Sequence, residues 1–158
     1  MKLPAAFCLV FLLGAGCLSP PLGVQEGDAA PDFSVTNTEF ETVRLSDFAD
    51  RPVVLYFFSL SCGTCYSKTR DVLVPLERDV GDEVAFLSLS VGFEETRSDL
   101  LRFKNQTGAS WVFAWDDGQV APTYGVVQPS TVIVLDRDHQ VLVKKAEPER
   151  SDIEPLLA

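Results

Sequence analysis

Val53-Val54-Leu55-Tyr56-Phe57-Phe58-Ser59-Leu60-Ser61-Cys62-Gly63-Thr64-Cys65 decides the reading of this chain. Its first six residues are apolar, β-branched or aromatic, the composition of a buried strand. Beyond the second cysteine, Val72, Leu73, Leu76 and Val80 fall at the three- and four-residue spacing of an amphipathic helix. The two thiols, with two residues between them, therefore stand at a strand-to-helix junction. Unpaired backbone N–H groups and the positive end of the helix dipole favour a thiolate there. CxxC in that position is how a chain builds a reversible disulfide.

The remaining cysteines drop out of the folded body. Lys2, the apolar run over residues 3–13 and the small residues Gly14-Ala15-Gly16 read together as an export signal over residues 1–16. The run is too short for a membrane-spanning helix of about 20 residues. The residues before Cys17 resemble a lipobox, with Gly14 where Leu is usual, so Cys17 is the expected lipid attachment point. Plain secretion and an uncleaved anchor are the alternatives, and all three export the domain. Residues 17–26, with Pro20, Pro21 and Gly23, read as a tether, and residues 27–158 as one domain. Cys8 lies in the leader, which leaves Cys62 and Cys65. A zinc site needs about four ligands, and the sole histidine, His139, lies far away in a turn-like stretch. No metal is expected. The pair reads as a redox couple or, alternatively, a static disulfide.

A chain of 158 residues buries about 70% of its unfolded surface as one domain. The formal charge is −10, with acids spread along the whole length. That excludes nucleic acid, and adhesion to anionic lipid through a basic patch.

Residues 33–36 and 43–45 read as short paired strands, with Ser46 capping the turn after them. A helix is expected over residues 62–80, kinked at Pro75 and ended by Gly81. Residues 84–91 form a second buried strand. Residues 98–106 form a helix with Leu100, Leu101 and Phe103 on one side. Trp111-Val112-Phe113-Ala114-Trp115 is a strand whose aromatics alternate as core or rim. Residues 131–135 and 140–145 form a hairpin, and residues 151–157 a closing helix. The β-α-β-α-β opening implies parallel inner strands. The hairpin adds antiparallel ones, giving an α/β fold with a mixed central sheet flanked by helices. Glu94-Glu95 read as helix-start acids and Lys144-Lys145 as guards of a strand edge.

This arrangement resembles the thioredoxin superfamily. Within it, Gly27-Asp28-Ala29-Ala30-Pro31-Asp32-Phe33 resembles the exported TlpA/ResA-like thiol–disulfide oxidoreductases and the related peroxiredoxins of the AhpC/TSA group. The resemblance implies a thioredoxin-like fold with an N-terminal β extension, and a bridge between Cys62 and Cys65 that exchanges with protein substrates. Cys62, nearer the helix start and solvent, is the expected attacking thiol and Cys65 the resolving one. A shift from about 8.5 to the thioredoxin value of about 7 raises the thiolate fraction at neutral pH about fifteenfold. Lost nucleophilicity returns about a factor of five. Position must therefore do most of the work.

In the family, the proline matching Pro129 is cis and faces the disulfide, so Gln128 and Pro129 are the implied substrate-facing wall. An ordinary edge-strand proline is the plainer reading. No bound cofactor is implied. Electrons come from a membrane or extracytoplasmic dithiol partner, and the protein is expected to be a monomer.

The chain departs from the family at Ser61, where Trp is frequent, and at Tyr56, where thioredoxins carry a buried acid. It departs again at Lys68, where cytochrome-maturation members carry an acid. Lys68 reads as a solvated surface lysine or as a charge favouring the Cys65 thiolate. A thiol peroxidase is the rival enzyme: Ser59 meets its need for a hydroxyl three residues before the cysteine, but Leu55 stands where it needs a proline. A non-catalytic binding domain with a static disulfide is the rival outside enzymes.

Overall fold

In the computed structural model, which describes residues 23–157, strand β3 (Val53–Phe58) runs through the middle of the molecule with none of its six residues more than 1% exposed. Period-two alternation sends Val54, Tyr56 and Phe58 to one face, against Leu73, Leu100 and Phe103. Val53, Leu55 and Phe57 go to the other face, against Leu45, Val120 and Tyr124. A strand buried on both faces reads as a continuous apolar run, and this one does. The export signal, Cys17 and the tether up to residue 22 lie outside the described residues.

Six further strands complete the sheet: β1 (Ser34–Asn37), β2 (Thr42–Arg44), β4 (Ala85–Ser90), β5 (Val112–Trp115), β6 (Thr131–Leu135) and β7 (Val141–Ala146). Their order is β2-β1-β5-β4-β3-β6-β7. β3, β4 and β5 are parallel, while β6 runs antiparallel to β3 with Leu55 opposite Ile133, and β7 antiparallel to β6. The mixed sheet is the expected one. The N-terminal extension is a β1–β2 hairpin that pairs antiparallel with β5, Thr36 opposite Trp115.

The helical run after the disulfide departs from expectation in two ways. It begins at Cys65, with α1 (Cys65–Lys68), because the chain turns first, over residues 59–62, where the Cys62 amide donates to the Ser59 carbonyl at 3.2 Å. It then passes through a π-helical turn, Thr69–Leu73, into α2 (Val74–Val80). The Val74 amide reaches back five residues to the Thr69 carbonyl. Pro75 has no amide to give and crowds the preceding turn, and the wide turn beside it is where the helix absorbs that defect. Gly81 closes the run at φ 58°.

α3 (Arg97–Thr107) starts under a capping box in which Thr96 accepts the Asp99 amide, and it ends at Gly108. α4 (Val120–Thr123) and α5 (Arg150–Ile153) are single turns, and the closing helix ends as a 3-10 turn at Glu154–Leu156. Two expected surface roles are corrected. Ser46 was expected to cap the turn after it, but its hydroxyl donates to Asp32, and the side chain that closes the start of this turn is Asp47, which accepts the Arg44 amide at 2.7 Å. Lys145 does lie on edge strand β7, but Lys144 ties the carbonyls of Val24 and Tyr124 together, at 2.8 and 3.2 Å.

Candidate active site

Cys62 and Cys65 form a disulfide with their Cα atoms 5.5 Å apart. Cys62 is half-buried and Cys65 wholly buried. The Cys65 amide, the first of the helical run, donates to Cys62 Sγ at 3.2 Å. An unpaired donor at a helix start is thus already aimed at the outer sulfur, where a thiolate will form on reduction. On its open side Cys62 borders a cleft lined by Leu60, Tyr66, Phe103 and Gln106.

In the turn that carries Cys62, the amides of Leu60, Ser61 and Cys62 are all satisfied. Ser59 Oγ accepts the Ser61 amide at 3.2 Å and the Ser59 carbonyl accepts that of Cys62. The Leu60 amide goes to Glu95 Oε1 at 2.6 Å, and the buried Ser90 hydroxyl donates to the other carboxylate oxygen. Glu95 is therefore a clamp on the cysteine loop and not a helix-start acid. Gly92 makes room for it, since a Cβ there would lie 1.8 Å from Glu95 Oε1. The capping box at Thr96-x-x-Asp99 was the signal in the sequence that put Glu95 outside the helix.

Tyr56, in place of a buried acid, belongs to the same core cluster as Cys65. Its hydroxyl donates to Ser130 Oγ at 3.2 Å. Burial first, and the charge of Glu147 second, push its pKa up to about 12, so the phenol is neutral across the physiological range. The buried Thr69 hydroxyl has no partner at hydrogen-bonding geometry among the described residues.

From Ser130 the connection continues outward. The Glu147 amide donates to the Ser130 carbonyl at 2.7 Å, and Thr64 Oγ1 donates to Glu147 Oε1 at 2.8 Å. Thr64 Oγ1 is in turn 3.7 Å from Cys62 Sγ. Two residues on, Glu149 forms an ion pair with Lys68, whose side chain is only 16% exposed. Lys68 is thus a docking contact for the loop after β7, not a solvated lysine. Glu147 and Glu149 carried no local signal: their partners are 83 and 81 residues away in the chain.

Gln128 is exposed and Pro129 half-buried, and both line a hollow with Val91, Ala121, Val126 and Val127. The expectation of a cis proline is corrected, because no peptide bond among the described residues is cis. The chain enters β6 instead through Ser130 in the left-handed region at φ 63°. The hydrogen bonds that join this loop to the disulfide turn run through Ser130 and Glu147, and not through Gln128, whose carbonyl accepts the Thr131 hydroxyl at 2.9 Å.

The fold is shared with known proteins. The model of the AhpC/TSA family matches residues 26–145. The chain belongs to the AhpC/TSA family. It is 30% identical over 135 residues to the thiol-disulfide oxidoreductase ResA of Bacillus thuringiensis, covering 84% of this chain and 76% of that one. A Chlorobium tepidum structure assigned as a thiol:disulfide interchange protein DsbE superposes with a TM-score of 0.67 at 25% identity, over 85% of this chain and 94% of its own. The thioredoxin domain of a thiol-disulfide oxidoreductase from Bacteroides vulgatus gives a TM-score of 0.72 over 86% of this chain and 100% of that one, at 18% identity. This family member is ResA-like, with a thioredoxin-like α/β fold.

Proposed function

We propose that this thiol–disulfide oxidoreductase works outside the cytoplasm, tethered through a lipid on Cys17, and exchanges with proteins through a mixed disulfide on Cys62. The observation that carries the mechanism is the asymmetry of the pair: Cys62 is reachable and takes an N–H donor, while Cys65 is sealed in the core. In the reducing direction, the Cys62 thiolate attacks one sulfur of a substrate disulfide. That S–S bond breaks, the other substrate sulfur leaves as a thiolate, and a Cys62–substrate disulfide forms. Cys65, as thiolate, then attacks Cys62 Sγ and releases the second substrate thiolate. The substrate gains two electrons and two protons, and the protein keeps the Cys62–Cys65 disulfide. A membrane or extracytoplasmic dithiol protein returns the electrons; oxidation of a client is the same sequence reversed.

Client contact falls at the end of the sheet where β3 and β4 finish and β6 begins. Phe93, after β4, is 98% exposed and Val127, before β6, is 93% exposed. Beside Gln128 and Pro129 they put exposed apolar surface at the end of the sheet from which the Cys62 turn leaves, a surface suited to a protein chain. In the test, Cys65→Ser protein is expected to accumulate mixed disulfides with envelope proteins, all lost when Cys62 is also replaced. An absence of trapped species contradicts the mechanism. Lipid labelling abolished by Cys17→Ser supports the tether, and unchanged labelling contradicts it.

A further inference from the structure

Thr64 has one hydroxyl proton and two acceptors within reach. One is Glu147 Oε1 at 2.8 Å and the other Cys62 Sγ at 3.7 Å. A carboxylate is a charge-assisted acceptor and holds such a proton strongly. Glu147 is itself held in place: its amide is bonded to the Ser130 carbonyl, its backbone sits at φ 49°, and the buried Pro148 follows it.

We propose that Glu147 is a positioning residue that draws the Thr64 hydroxyl away from Cys62, leaving the reactive sulfur with the Cys65 amide as its donor and setting the couple toward the reducing side. The sign follows from linkage. Donors to the Cys62 thiolate stabilise the reduced protein and make a couple more oxidising; withholding one stabilises the disulfide by comparison. The loop after β7 thus contributes to the redox poise through a residue between the two cysteines.

The other charged groups near Cys62 are the Lys68–Glu149 pair, the Asp99–Arg102 pair at 3.5 Å, and Glu95 on the Leu60 amide. None of them bonds the Thr64 hydroxyl, so they stay in place when the Glu147–Thr64 contact is removed.

The inference rests on Cys62–Cys65 being a working couple, and the test separates the two. The full domain is equilibrated with glutathione buffers, and the dithiol fraction is read by thiol alkylation for the native protein, Glu147→Ala, Thr64→Val and the double variant. Glu147→Ala is expected to shift the equilibrium about tenfold toward the dithiol, equal to about 30 mV for a two-electron couple. Thr64→Val alone is expected to shift it less than about twofold, and in the Glu147→Ala background to cancel most of the shift. A Glu147→Ala shift that survives in the double variant overturns the proposal, since the loss of charge alone then explains it. Four identical equilibria overturn it as well. A native protein that never equilibrates with glutathione contradicts the function itself.

Discussion

The Glu95 carboxylate accepts the Leu60 amide at 2.6 Å and so fixes the chain two residues before Cys62 from 35 residues away. Replacing Glu95 by Ala strands that amide and the Ser90 hydroxyl, and is expected to cost about 1.5–3 kcal/mol of stability. Gly92→Ala should act in the same direction, because the added methyl occupies the carboxylate's place. Denaturant midpoints check both. The rate of Cys62 alkylation in the reduced proteins, measured where all remain folded, should change as well; a change in stability alone makes Glu95 a purely structural clamp.

Thr69 tests the opposite case. Its hydroxyl is buried without a partner among the described residues, and a group of that kind costs free energy without returning any. Thr69→Val keeps the shape and is expected to be neutral or stabilising by up to about 1–2 kcal/mol, read from the unfolding midpoint. A loss of more than about 1 kcal/mol would show that the hydroxyl is bonded in solution.

Tyr56 predicts a pH dependence. Its folded pKa is raised from 10.0 to about 12, so between those values the unfolded chain has released a proton that the folded one retains. Stability is full below about pH 10 and falls as pH rises toward about 12. Tyr56→Phe should remove Tyr56's share of that slope in alkaline denaturation. It should leave the shape of the exchange rate against pH unchanged between pH 6 and 9, where the phenol stays neutral.

Phe93 and Val127 are predicted to matter for protein clients only. Phe93→Ser with Val127→Ser should raise KM for a protein disulfide several-fold, with little effect on a small disulfide such as oxidised glutathione. Equal effects on both would remove the rim from client binding.

The strand–CxxC–helix unit was legible because each part has a strong local signature: the β3 run, the apolar spacing after Cys65, and Gly81 at the end. The burial of β3 and the parallel pairing of the inner strands followed from that. The fine structure of the helix was not legible, since Pro75 announces a defect but not whether it becomes a kink or a π turn. The residues that surround the disulfide were the hardest to read. Glu95, Ser130, Glu147 and Thr64 act through contacts 35 to 83 residues apart, and no local pattern encodes such a distance. Pro129 was placed by resemblance, and its peptide bond is not the cis one which that resemblance implied.

The most direct test of the central claim is turnover of a protein disulfide, followed by thiol release, with a dithiol donor present in excess. The native domain is expected to accelerate reduction well above the donor alone, and Cys62→Ser to abolish that acceleration. A native domain no faster than the donor, or a Cys62→Ser protein that keeps the rate, would contradict it.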